Sequence, residues 1–280
     1  MKNILIPIDF SPSSDLACEY GLQVAQKAEA KVTILHIKYT PVDWVHLVKE
    51  GGKNFPKLIE SIKSAQAEME KWESRAKEHG LEVETKLVFD EGQSKIVHHV
   101  TQSNHDFIIM AAKGDAKSGT STLGNMAQKI IRNANVPVLL IKNKMPKIPM
   151  EKVVFASDFE PDLAPHFNHV IDFVSLMEAD IDLVFINTPY QFENTSTTME
   201  KMNQFTSLCS PDRKCNTNIY NARNREEGII EFTNSIGADV IAISTRAKRG
   251  GFLNFLSRSV TESLVLNPDI PLLSINLQVD

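Results

Sequence analysis

The sequence predicts an α/β protein made of two tandem doubly wound parallel-sheet domains, and three observations carry that prediction. Short apolar runs alternate with amphipathic helical stretches along the whole chain, the pattern of a parallel sheet covered by helices on both faces. Segments far apart in the chain repeat in the same order at near-constant offsets, the mark of a duplication. One apolar run ends in a small-residue turn, and a second such turn opens a helix; sheets of this class bind ligands beyond the carboxyl ends of their strands.

The first unit reads as follows. Ile4–Asp9 is a buried-type strand, and Ser11 as N-cap with Pro12 at the first helical position starts a helix bearing Leu16, Ala17, Tyr20, Val24 and Ala28 on one side. Val32–Ile37 is the second strand, which completes a βαβ unit. Leu58, Ile62, Ala65, Met69, Trp72 and Ala76 form the apolar stripe of a long helix, with Gly80 as its C-cap. Leu81–Phe89 is a third strand, Ser94–Ser103 a third helix, Phe107–Met110 a fourth strand and Val136–Ile141 a fifth. Between the last two lie Ala111, Gly114, Gly124 and Asn125, then a helix over Met126–Asn133. Unpaired N–H groups and the helix dipole make that place a cradle for an anion, and glycine lets the backbone approach it closely.

Lys142–Met150, with two prolines and three lysines, reads as a solvated linker between a domain over residues 1–144 and one over 150–280. The pattern then restarts. Asp158 falls on Asp9 and Pro161 on Pro12, both 149 residues on; Asp239–Ile243 overlays Asp106–Met110 and Pro271 overlays Pro137, at offsets of 133 and 134. The second copy is thus shorter in its middle, where a Ser/Thr/Asn-rich region with Pro211 stands in place of the long amphipathic helix. Its cradle frame reads Ser244-Thr245-Arg246-Ala247 and later Leu256-Ser257-Arg258-Ser259, with no glycine at either end. Arg258 reads either as a plug of a lost site or as a guanidinium offered to an anion.

These residues resemble the universal stress protein family over essentially the whole chain. The likeness rests on the opening strand ending in Pro7-x-Asp9, on His36-Ile37, on the glycine loop and on Val136-Pro137-Val138-Leu139. ATP-binding members carry Gly-x2-Gly-x9-Gly-Ser/Thr; here the frame is Ala111-x2-Gly114-x9-Gly124-Asn125. The resemblance implies a Rossmann-like fold of the adenine-nucleotide alpha hydrolase type, with the two halves paired through their fifth strands as an intrachain pseudo-dimer. It implies a non-enzymatic stress-response protein that binds ATP or another adenine nucleotide, with or without Mg2+, in domain 1. Pro7, Asp9, Ile37, Met110 and Ala111 would form the nucleoside side of that site, and Gly114, Gly124, Asn125 and Met126 would hold the phosphates. Domain 2 would be structural or regulatory, its degenerate site marked by Asp158, Ser244, Ala247, Arg258 and Ser259. The alternative is an interaction or scaffolding module with both sites vestigial. Pairing of two chains into a homodimer fits either reading.

Other signals point elsewhere less well. At 280 residues, 42% apolar, 23% charged and a formal net charge of −5, the chain reads as an ordinary soluble domain pair without the basic footprint of a nucleic-acid binder. No run has the length of a membrane span, and no signal peptide is visible, so the expected setting is the reducing cytoplasm. Cys18, Cys209 and Cys215 give no disulfide framework and match no zinc spacing. His98, His99, His105, His166 and His169 lack the partners a tetrahedral metal site needs. Gly114–Thr120 imitates a P-loop, but Thr120 stands where the lysine belongs. Asp9 and Asp158 each read two ways, as a ligand contact or as a carboxylate bonded to backbone N–H groups where the next helix begins.

Overall fold

The apolar runs become the strands of one sheet. The structure is a computed structural model that describes residues 1–40, 55–90, 100, 104–113, 125–247, 264 and 270–278. In chain order the elements are β1 (Asn3–Pro7), α1 (Pro12–Ala28), β2 (Lys31–Tyr39), α2 (Pro56–Glu78), β3 (Val83–Asp90), β4 (Phe107–Ala111), α3 (Asn125–Asn133) and β5 (Val138–Ile141). The second half follows with β6 (Lys152–Ala156), a 3-10 turn at Pro161–Leu163, α4 (Ala164–Met177), β7 (Asp180–Asn187), α5 (Thr195–Thr206), β8 (Cys215–Asn221), α6 (Arg225–Ile236), β9 (Val240–Ala247) and β10 (Leu272–Gln278). The expected helix over Ser94–Ser103 lies outside the described residues apart from Val100, which is helical and buried.

The strand order is β3-β2-β1-β4-β5-β10-β9-β6-β7-β8. Each half has the same internal order, and all neighbours run parallel except β5 and β10. That antiparallel seam sets Leu140 against Leu272, Leu139 against Leu273 and Val138 against Ser274, so the fifth strands meet as the resemblance implies. Side chains alternate between two apolar layers. Ile4 and Ile6 join the layer of α1, α2, α4 and α5, whereas Leu5 joins that of α3 and α6. The halves also interlock above the seam, where Phe107 of β4 stacks on Phe173 of α4 at 5.9 Å.

The duplication reaches the backbone torsions. Phe10 and Phe159 have φ of 61° and 54°, and Glu29 and Glu178 have φ of 51° and 58°. Each pair is one repeat apart, so both copies spend left-handed residues at the same two turns, at the strand-to-helix corner and at the C-cap of the following helix. At the starts of the strands, Asp106 accepts from the N–H groups of Lys2 and Asn3, and Asp239 does the same for Glu151 and Lys152.

Three expectations are corrected. The Ser/Thr/Asn-rich middle of the second half does not replace a helix but forms one, α5, of 12 residues against 23 in α2. Its buried residues Thr198, Met202 and Phe205 make a short stripe, and Phe205 closes on Phe159 and Phe167 at 5.3 Å each. Lys142 is not a solvated linker residue: it is buried, and its Nζ donates to the carbonyl of Leu264 at 2.7 Å, a bond that offsets the cost of hiding an ammonium. Cys209 and Cys215, read as free thiols, are joined as a disulfide.

Candidate functional site

In the order β3-β2-β1-β4-β5 the chain reverses direction of travel between β1 and β4, and the crevice at such a switch point is where open α/β sheets bind ligands. The structure has a crevice there. Pro7, Ile8, Asp9 and Ser14 line one side, Met110, Ala111, Ala112 and Lys113 the other, and Met126 and Ala127 reach it from α3. Its volume is about 60 Å³, well under the ~300–1,000 Å³ of a pocket that engulfs a drug-sized ligand. A larger ligand would therefore lie across its mouth.

Local chemistry fixes the first wall. Beyond β1, the N–H of Ile8 still donates to Leu35 at 2.8 Å, and then the chain turns through the left-handed Phe10. The Asp9 carboxylate is exposed, and its Oδ1 accepts from the Ser11 N–H at 3.1 Å and from the Ser11 hydroxyl at 2.6 Å. Ser11 Oγ in turn accepts from the N–H of Ser14 at 3.2 Å, which caps α1. The backbone reading of Asp9 is thus realised, while its exposure leaves the carboxylate at the crevice edge.

His36 braces this wall from β2. Its Nδ1 is 2.7 Å from the Ile8 carbonyl and its ring lies 4.3 Å from that of Phe10. A carbonyl only accepts, so Nδ1 carries the proton. Burial pulls the imidazole below its ordinary value, with the Ile8 carbonyl opposing. On the second wall, the Ala112 N–H donates to Ile141 at 2.8 Å and holds the Ala111–Lys113 turn over the end of β4.

Of the residues singled out in the sequence, Pro7, Asp9, Met110, Ala111 and Met126 converge on this crevice. Ile37 does not line it; it is buried in the apolar layer shared with α3. Asn125 is the first residue of α3, and Gly114 and Gly124 lie outside the described residues. Sequence reasoning missed Ile8, Ser14, Ala112, Lys113 and Ala127. Lys113 had a readable signal, being a cation in the frame between Ala111 and Gly114 at a strand end.

The matching corner of the second half is built differently. Asp158 is half-buried, and Ser157, fully buried, accepts from the Phe159 N–H at 3.1 Å. Phe159 is itself wholly buried, and Phe185 stands where His36 stands in the first half. Arg225 is half-buried at the start of α6; burial lowers its guanidinium from the ordinary value while the charges of Asp158 and Glu226 pull upward. From α5, Lys201 Nζ donates to Glu160 at 2.9 Å and to Glu193 at 2.6 Å. Asp158 thus acts on Arg225 by charge; Arg258 and Ser259 lie outside the described residues. Ser244 is buried on β9, which Ala247 ends.

Among the described residues there is no group of three or more His, Cys, Asp or Glu that could hold a metal ion, and no helix is long and apolar enough to cross a membrane.

Known proteins give the same picture. Universal stress protein MJ0531 of Methanocaldococcus jannaschii is 28% identical over 143 residues, half of this chain and 82% of that protein. Universal stress protein YxiE of Bacillus subtilis is 23% identical over half of this chain and 99% of its own length. A solved universal stress protein from Archaeoglobus fulgidus matches 98% of both chains with a TM-score of 0.72 at 17% identity, so its fold spans both halves. A solved protein from Pseudomonas aeruginosa matches 99% of this chain and 93% of its own with a TM-score of 0.62 at 16% identity. The model of the universal stress protein family matches residues 1–142, and with it the chain belongs to that family.

Proposed function

We propose that this is a stress-response protein whose first half binds ATP or a related adenine nucleotide, while the second half supports it structurally. One observation carries the reading: the strand ends Pro7–Asp9 and Met110–Lys113 and the start of α3 converge on a single crevice at the switch point. The base and ribose lie along Asp9 and Met110. The phosphates lie toward the amino end of α3, where Gly114, Gly124 and Asn125 stand in the sequence and a helix start favours negative charge. Mg2+ accompanies the phosphates as a counter-ion. Binding is the function, with no turnover, and the protein works in the cytoplasm.

A thermal-shift titration with ATP and magnesium, on wild type and on Gly124→Arg, tests this. A ligand at a hundred times its Kd stabilises the folded state by about 2.7 kcal/mol, a shift of several degrees. Wild type should show it and Gly124→Arg should not. Equal midpoints with and without saturating nucleotide in wild type sink the reading. Phosphate release above the buffer rate would contradict binding without turnover.

The small volume of the crevice favours a second reading. Ala111 puts a methyl group where ATP-binding relatives have glycine, and Asp9 already accepts from Ser11. On that reading the protein is a nucleotide-free interaction module, and the same titration separates the two.

A further inference from the structure

The connection between α5 and β8 holds chemistry that the crevice does not use. Cys209 follows the end of α5 and Cys215 opens β8; their Cα atoms are 6.3 Å apart and their sulfurs are bonded. Both residues are half-buried, with one side against the apolar layer and the other toward solvent. The third cysteine, Cys18, is fully buried in α1, where desolvation suppresses its thiolate.

The loop between the pair keeps its shape through bonds other than the disulfide. The N–H of Cys209 donates to Thr206 at 3.1 Å, that of Arg213 to Ser210 at 3.3 Å, and that of Lys214 to the Asp180 carboxylate at 3.1 Å. The Lys214 carbonyl accepts from Ile181 at 2.9 Å, and the Arg213 guanidinium lies 3.9 Å from Glu178. Opening the sulfur–sulfur bond therefore leaves the two side chains in reach of each other. A pair held in place in either redox state, and open to solvent, is what exchange chemistry requires.

We propose that Cys209 and Cys215 form a reversible thiol–disulfide exchange site that takes small-molecule disulfides and thiols of the glutathione class. The Cys209 sulfur lies 3.7 Å from the Phe205 carbonyl at the negative end of α5, a poor place for a thiolate. Cys215 directly follows the cationic pair Arg213 and Lys214, which favours a thiolate there, so Cys215 is the attacking group. Its thiolate attacks one sulfur of the external disulfide, forming a mixed disulfide and releasing one external thiolate. Cys209 then attacks the Cys215 sulfur, forming the internal bond and expelling the second external thiolate. The two protons lost by the protein thiols end on the two released thiols, so the protein is oxidised by two electrons and the external disulfide is reduced by two. Reduction runs the same steps backwards.

The test equilibrates the full chain in buffers spanning oxidised to reduced glutathione, quenches with an alkylating agent and maps the labels by mass spectrometry. Cys209 and Cys215 should lose their label together in oxidising buffer and regain it in reducing buffer while the protein stays folded. Cys18 should take label only after denaturation. Cys209→Ser, which keeps Cys215, should gain a glutathione adduct several-fold faster than Cys215→Ser. A pair that stays reduced in every buffer overturns the proposal, as does a bond that opens only on unfolding, and so does the absence of adducts on both single variants. Equal adduct rates overturn Cys215 as the attacking thiol.

Discussion

Lys113 and Asp9 are the charged residues among the described ones that line the crevice, and they give the site a polarity. In the proposed complex the ammonium sits on the phosphate side. A charge-assisted hydrogen bond is worth about 1.5–3 kcal/mol, so Lys113→Met should weaken ATP binding by roughly ten-fold or more. Adenosine, which lacks phosphate, should bind the variant and wild type alike; equal losses for both ligands would show that Lys113 shapes the crevice instead. His36 makes a different prediction. Its folded-state pKa lies below 6.5 because of burial, so protons prefer the unfolded chain. The stability it contributes is complete above pH 6.5 and is lost as pH falls through and below that value. His105 and His169 are shifted the same way by burial. Thermal midpoints should therefore drop from pH 7 to pH 5, and His36→Asn should flatten part of that slope. An unchanged slope would contradict the role given to His36.

At the scale of elements, close approach between helix and strand sets the sheet's coverage. Gly228 of α6 leaves no room for a side chain: a Cβ there would lie 2.5 Å from Ile186 Cγ2 and 2.8 Å from Ala222 Cβ. Gly228→Val should cost about 1–3 kcal/mol through overpacking, measured by chemical denaturation; a neutral result would show that α6 can slide outward freely. The elements also show how far the sequence could be read. β1, α1, β4 and α3 were legible because apolar runs, the Ser11-Pro12 start and the small-residue turns are local signals, and the structure keeps them within a residue or two. Of the crevice wall, Asp9, Met110 and Ala111 stand at strand ends and, with Pro7, were implied by the family resemblance, whereas Ile8 between Pro7 and Asp9 was not. The helix α5 was hidden because three buried residues, spread through Ser, Thr and Asn, give a faint stripe. Arg225 was missed for a related reason: a long side chain's direction depends on the turn beneath it, which spacing does not encode, whereas Lys113 carried a signal as a cation inside the frame at a strand end. Lys142 and the Cys209–Cys215 pair depend on packing between elements far from or folded back on one another, and no period in the sequence records that.

For the whole molecule, duplication followed by divergence explains the asymmetry of the two halves. They share strand order, left-handed corners and the aspartate clamps at the strand starts, and they are sealed along the β5–β10 seam. They differ where function would act. The first half presents an exposed Asp9 and a crevice lined by Lys113, whereas in the second Asp158 acts by charge on Arg225, and Lys201 is linked to Glu160 and Glu193. The proposed function requires one nucleotide site per chain, in the first half. Isothermal titration of the full chain with ATP and magnesium measures it directly. Saturable binding with one nucleotide per chain is expected, and no binding heat or two equivalent sites per chain would contradict the proposed function.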